Sequence, residues 1–144
     1  SSNSLTPEIS LSKGNYSKYR PNALDKLNIT KAIKILSKLN DYKFSQGAVS
    51  RDKKIIVIEG KDGTWSMLNK IKKSQNKSNG VLVKFPKKKQ DIRIDLPTIG
   101  LDTLQQCKKV GINGVVLKHR KNIFLDKKKS IAFANQNKMF ILVR

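Results

Sequence analysis

GVLVKFPKKKQDIRIDLPTIGLDTLQQCKKVGINGVVL, residues 80–117, is the stretch on which the fold turns. Its first run, GVLVKF at 80–85, is apolar on both faces apart from Lys84 and reads as a buried strand. FPKKKQ is a turn. From 91 to 95 polar and apolar residues alternate at period two, so Asp91, Arg93 and Asp95 share one face of a half-buried strand and Ile92 and Ile94 the other. Pro97 ends that strand. Leu101, Leu104, Cys107 and Val110 recur at threes, which predicts a helix over 101–110 stopped by Gly111. A second buried strand follows at 114–118.

Downstream, 123–125 reads as a strand across the basic turn HRKN from its predecessor, 130–137 as a short helix and 139–143 as a last strand. Upstream, IIVI at 55–58 is apolar on both faces and is expected as a buried central strand. It pairs as a hairpin with the run before Ser50-Arg51-Asp52-Lys53. Lys61-Asp62-Gly63-Thr64 is a turn, with Asp62 or Thr64 to cap a helix over 65–73, and 74–79 is a loop. Leu24, Leu27, Ile29, Ala32, Ile33, Leu36 and Leu39 make an amphipathic helix over 22–40, with Asp25 favourably placed in its first turn. Residues 1–20 are rich in Ser and Asn and read as a linker or interdomain arm, leaving 21–144 as one mixed α/β domain with a mixed sheet.

Composition narrows the partners. Thirty-one Lys and Arg face ten Asp and Glu, a net charge of +21, which favours anionic partners. Lysines far outnumber arginines and the chain is rich in Asn and Ile, so a coding bias toward AT accounts for much of this excess. A nucleic-acid binder would interleave aromatics or arginines with its lysines. The runs at 87–89 and 127–129 contain none, and nucleic acid ranks last as a partner. A lone Cys107 excludes an internal disulfide or a Cys-based zinc cluster and sits on the apolar stripe of its helix. His119 is the only histidine and reads as a hydrogen-bonded residue at a strand end. No apolar run reaches the roughly 18 residues of a membrane span, and no secretory leader is seen at the start. The sequons at Asn28 and Asn76 read as accidents of an Asn-rich chain.

Three clusters could carry chemistry. On a straight strand Asp91 and Asp95 stand about 13 Å apart, too far to share one ion directly, so one would bind a cation while the other positions Arg93 or a water. In EGKDGTW, residues 59–65, a turn and helix start could approach a phosphate. The spacing is not that of a Walker loop. Lys84 differs from the surface lysines because a buried strand fixes its position.

Taken together, FSQGAVSRDKKIIVIEGKDGTWSML, NGVLVKFPKKKQDIRIDLPTIGLDTL, KKVGINGVVL and NIFLDKKKSIAFANQNKMFILV resemble the C-terminal domain of the LpxI-type UDP-2,3-diacylglucosamine pyrophosphatases, over about residues 5 to 143. The resemblance implies a hydrolase of lipid A biosynthesis that splits UDP-2,3-diacylglucosamine into 2,3-diacylglucosamine 1-phosphate and UMP. It implies a divalent ion such as Mg²⁺, and a site shared with an N-terminal domain that this chain lacks, so that the chain alone would be nearly inactive. Cytoplasmic residence, peripheral at the inner membrane, follows from such a substrate. Gln46, Glu59, Gly63, Thr64, Lys84, Gln90, Asp91, Arg93, Asp95, Pro97, Thr98, Gly100 and Thr103 match motif positions. The resemblance makes Asp95 and Asp91 the catalytic acids, with Asp62 and Glu59 as further metal ligands. Lys84, Arg93, Thr64, Gln46, Thr98 and Thr103 become substrate contacts. It departs at Asp62-Gly63-Thr64-Trp65, where the family usually has Glu-Gly-Thr-Asp, and at His119-Arg120-Lys121, which replaces a small turn. The alternative reading is a module that binds a UDP-sugar lipid or an anionic membrane without hydrolysis.

Overall fold

The computed structural model describes residues 11–39, 46–72, 79–86 and 96–144. Its central elements are the apolar runs picked out above. β4 (Val81–Lys84), β6 (Gly114–Leu117) and β8 (Phe140–Val143) lie side by side and parallel. Side-chain alternation sends Leu82, Val115, Leu117, Ile141 and Val143 to one face and Val81, Val83, Val116 and Phe140 to the other. Both faces are covered, which is why these strands read as continuous apolar runs. Among the described residues the sheet has six strands: β1 (Gly14–Asn15), β8, β6, β4, β2 (Gly47–Arg51) and β3 (Lys54–Ile58), in that spatial order.

The helix α1 (Ala23–Leu39) covers one face. On the other lie α2 (Gly63–Asn69), α3 (Leu101–Lys109) and α4 (Lys127–Gln136). The fold is thus a mixed α/β domain, as expected. A second, two-stranded parallel sheet joins β5 (Thr98–Ile99) to β7 (Ile123–Phe124). β6 and β7 flank the HRKN turn as expected, without pairing with each other. Asn122 is the reason. It is fully buried, its Oδ1 accepts from the Lys118 N–H at 2.8 Å and its Nδ2 donates to the Lys84 carbonyl at 3.0 Å, so the turn is pinned over the end of β4 and β7 is carried away.

IIVI departs from expectation. It forms β3, an edge strand in which Ile56 and Ile58 are exposed. Val49 pairs with Val57 but Ser50 pairs with Ile55, so Ile56 is an extra residue, a bulge. The bulge breaks the period of two, and Ile55 packs toward α1 while Val57 packs toward α2. The hairpin turn itself is tight. Asp52 and Lys53 both have positive φ, 52° and 64°, as a two-residue turn of the I′ type requires. The buried Asn28 of α1 steadies it by accepting from the Lys53 N–H at 2.8 Å and the Ser50 hydroxyl at 2.9 Å.

That role resets the face of α1. The buried stripe runs through Asp25, Asn28, Ile29, Ala32 and Leu36, and Leu24 and Leu27 stand exposed. Asp25 and Asn22 cap the helix reciprocally, N–H to carboxylate at 2.9 Å and N–H to amide oxygen at 2.8 Å. α2 begins at Gly63 and ends at Asn69, short of 73, because Arg51 draws the chain off the helix axis. Its guanidinium donates to the carbonyls of Lys72 (3.0 Å), Asn79 (2.8 Å) and Val110 (2.8 Å). α4 begins at Lys127 rather than at 130, since lysines are good helix formers and Lys128 and Lys129 are solvated. Of the segment 1–20, the described part is packed: Leu11 is 1% exposed in the core and Gly14–Asn15 pairs with β8. The strand expected over 91–95 and residues 74–78 of the loop expected at 74–79 lie outside the described residues.

Candidate active site

β3, β4, β6 and β8 all point the same way, so their carboxyl ends share one edge of the sheet. Glu59 follows β3 there, and Lys84 ends β4. They are two strands apart, yet Lys84 Nζ lies 2.8 Å from Glu59 Oε1. Both are buried, at 3% and 6% exposure. Glycine makes this possible: a Cβ on Gly47 of the intervening β2 would lie 3.0 Å from Glu59 Oε1 and 3.1 Å from Lys84 Cδ. Gln46, just before it, accepts the Phe85 N–H at 2.9 Å through its backbone carbonyl.

Thr64, in the first turn of α2, completes a triangle. Its hydroxyl lies 2.6 Å from Glu59 Oε1 and 2.5 Å from Lys84 Nζ. A carboxylate can only accept and an ammonium can only donate. Thr64 therefore donates to Glu59 and accepts from Lys84, which leaves its oxygen one free acceptor position.

Thr64 also lines a pocket of about 200 Å³, with Trp65, Thr98, Asp102, Thr103 and Gln106. The β5–β7 pairing fixes Thr98, through Ile123 N–H to the Pro97 carbonyl at 2.9 Å and Leu125 N–H to the Ile99 carbonyl at 2.8 Å. Gly100 lets the start of α3 close on that pair, since a Cβ there would lie 3.3 Å from Leu125 Cβ. Thr103 and Gln106 are three apart on α3 and face the same way. Gln106 Nε2 donates to the Trp65 carbonyl at 2.8 Å and ties α2 to α3. The Asp102 carboxylate accepts the Thr103 N–H at 2.9 Å. Hydroxyls, one amide, one carboxylate and one indole make a wall suited to a polyhydroxylated ring.

Of the residues singled out from the sequence, Thr64, Thr98 and Thr103 meet around this pocket, with Lys84 and Glu59 behind Thr64. Asp62 is exposed at the start of α2 and makes no side-chain cap bond. Gln46 lies by β4, off the pocket lining. Gln90, Asp91, Arg93 and Asp95 lie outside the described residues. Asp102 and Gln106 were missed as pocket residues; the i, i+3 spacing of Gln106 from Thr103 was the available signal. Among the described residues no three His, Cys, Asp or Glu side chains come together. Glu59 is already paired with a cation, so the described residues do not by themselves fit a divalent ion. Cys107 is fully buried, and that burial pushes its thiol far above the ordinary range. The His119 ring contacts the Leu11 carbonyl at 3.2 Å, a structural bond.

These features define an α/β domain with a ligand pocket at the carboxyl edge of its parallel strands, where such folds hold their ligands. A family model described as the LpxI C-terminal domain matches residues 12–142, and the chain belongs to that family. It is 30% identical over 142 residues to the UDP-2,3-diacylglucosamine pyrophosphatase LpxI of Caulobacter vibrioides, covering 94% of this chain and 51% of that protein. The chain thus spans about half the length of the relative it matches. No helix among the described residues is long and apolar enough to cross a membrane.

Proposed function

We propose that this chain is the C-terminal half of a divalent-metal-dependent pyrophosphatase. Its reaction is hydrolysis of UDP-2,3-diacylglucosamine to 2,3-diacylglucosamine 1-phosphate and UMP, at the cytoplasmic face of the inner membrane. The observation that carries the reading is the gathering of Thr64 with Thr98 and Thr103, from a segment distant in sequence, around one pocket backed by the buried Lys84–Glu59 pair. The likeness to the Caulobacter relative supports the choice of reaction.

The pocket takes the sugar. Thr64, held from two sides, offers its free acceptor position to a ligand hydroxyl or amide N–H, and Asp102 offers another. Lys84 acts through Thr64. Glu59 serves Lys84 rather than a metal, which leaves Asp95, Asp91 and Asp62 as the acids for Mg²⁺ or a similar ion. Such an ion would neutralise charge developing on the diphosphate. Arg93 clamps phosphate oxygens, and Gln46 supports the substrate beside β4. The N-terminal half of the relatives supplies the rest of the site, and this chain alone is nearly inactive.

The test uses the chain joined to its N-terminal half. Thr64→Val and Thr103→Val should each lower kcat/KM about tenfold or more, as loss of a buried polar contact does. Asp95→Ala and chelation should abolish turnover. Turnover at the parent rate in the two threonine variants would reject the pocket, and near-normal turnover in Asp95→Ala would remove that acid. A second reading is favoured by Trp65, whose indole is 68% exposed at the pocket where the family usually carries an acid. In that reading the domain binds the same glycolipid without cleaving it, and the joined protein would show tight, metal-independent binding without turnover.

A further inference from the structure

The β2–β3 hairpin and the end of α2 enclose a hollow of about 230 Å³, lined by Arg51, Ile56, Val57, Lys70, Ile71 and Lys72. Ile56 and Val57 are consecutive, and on a regular strand they would point to opposite faces. The bulge at Ile56 lets both line one hollow. Bulges are over-represented beside functional sites for this reason, since they re-aim a side chain.

The charge of the lining is one-sided. Three of its six residues are cations and none is an acid. Lys and Arg make up 31 of the 144 residues, about one in five. The polar pocket by the start of α2 has none in its lining. The cations are therefore gathered at this end of α2 rather than spread evenly. Arg51 is fixed in place. Three of its N–H groups donate to the carbonyls of Lys72, Asn79 and Val110, and a guanidinium has five. Burial lowers its pKa, the mark of a charge short of water, and Asp52 offsets part of this. Lys70 and Lys72 are exposed at the rim. A helix C-terminus favours cations. Yet the Met67 and Leu68 carbonyls already accept the N–H groups of Lys70 and Ile71, at 3.2 and 3.1 Å.

Like charges around one hollow repel until a counter-charge enters. A phosphoryl dianion suits three cations better than a carboxylate does, and a guanidinium fork matches its oxygens. We infer that this hollow binds the phosphoryl group of a phosphomonoester, with Arg51, Lys70 and Lys72 around the phosphate and Ile56, Val57 and Ile71 against a short hydrocarbon part. The seven residues of α2 put it about 10 Å from Thr64, so it is separate from the polar pocket and does not depend on the pyrophosphatase reading.

The chain, labelled with nitrogen-15, is titrated with inorganic phosphate, with n-butyl phosphate and, at matched ionic strength, with sodium chloride. The amide resonances of Val57, Ile71 and Lys72 should move saturably with both phosphates and stay in place with chloride. Butyl phosphate should bind at least about fourfold tighter than inorganic phosphate, the value for one buried methylene. Because Arg51 also ties three segments together, the variants are made at the rim. Lys70→Glu and Lys72→Glu should each weaken butyl phosphate about fivefold. Lys34→Glu makes the same change of charge on α1, across the sheet, and should leave affinity within about twofold, since salt screens so distant a charge.

Vesicles of phosphatidylcholine with and without phosphatidic acid separate the two sources of such a group. Cosedimentation that requires phosphatidic acid, is lost in Lys70→Glu/Lys72→Glu and is kept in Lys34→Glu assigns the site to a lipid head group. Saturable butyl phosphate binding without cosedimentation assigns it to a soluble ester. Shifts that chloride reproduces, no saturable shift with either phosphate, or equal weakening by Lys34→Glu overturns the site and leaves its lysines a solvated surface. Equal affinity for the two phosphates overturns the hydrocarbon contact.

Discussion

Replacing Lys84 by methionine should be among the most damaging single changes in this domain, and the structure sets the scale. Methionine keeps the volume and apolar stem of the side chain but removes the ammonium. Glu59 then remains 6% exposed with its Oε1 bonded only to the Thr64 hydroxyl. Breaking one side of a buried pair costs about 3–5 kcal/mol, because the surviving charge is left in a poor solvent. At about 3 °C per kcal/mol for a domain of this size, Tm should fall by roughly 9–15 °C. The assay is urea denaturation, in which the midpoint moves and the slope stays. The second arm is the double variant Lys84→Met/Glu59→Leu, which removes both charges. It should recover most of the loss, with a coupling of about 1–3 kcal/mol. Equal stability for the single and double variants would refute the idea that Glu59 is there to be met by Lys84. So would a single-variant cost below about 1 kcal/mol, the range of exposed pairs.

Other outcomes follow from the same geometry. Arg51→Lys keeps the charge but cannot reach three carbonyls at once, and should cost about 2–4 kcal/mol in chemical denaturation from the lost charged hydrogen bonds. Gly114→Ala would drive a methyl into the Phe140 ring and should cost about 1–3 kcal/mol in the same assay. The Cys107 thiol, raised by burial, should be inert to a thiol reagent in the folded domain and react once it is unfolded. Its raised folded-state pKa contributes stability that is intact below about 8.5, the ordinary thiol value, and is eroded as pH climbs above it. An alkaline titration of Tm checks this by comparison with Cys107→Ala.

Much of the fold was legible because burial on both faces leaves a plain signature. Gly-Val-Leu-Val at 80–83, Gly-Val-Val-Leu at 114–117 and Phe-Ile-Leu-Val at 140–143 are apolar throughout and are the three parallel strands at the heart of the sheet. The same signature misled at Ile55–Ile58, where a bulge turns Ile55 and Val57 to opposite faces and exposes Ile56 without changing composition. The helix over 22–40 was read in place, with Ile29, Ala32 and Leu36 on its buried stripe, but Leu24 and Leu27 are exposed, since Asn28 faces inward to hold a turn 25 residues away. No local pattern announces a polar residue recruited by tertiary structure. In the site, Thr64, Thr98 and Thr103 were named through family likeness, and the structure brings them together. The pairing of Glu59 with Lys84 was not legible, because alternation along one strand says nothing about which charge stands two strands away.

The extra residue at Ile56 has a consequence for how copies of this chain meet. Among the described residues Ile-Ile-Val-Ile runs along the outer rim of the sheet, the kind of segment on which further chains stack into fibrils. A ladder one residue out of step, with Lys53 and Lys54 at its mouth, gives an incoming strand no matching register. Deleting Ile56 would straighten the rim, and the shortened protein should turn cloudy and bind amyloid dyes under conditions where the parent stays clear.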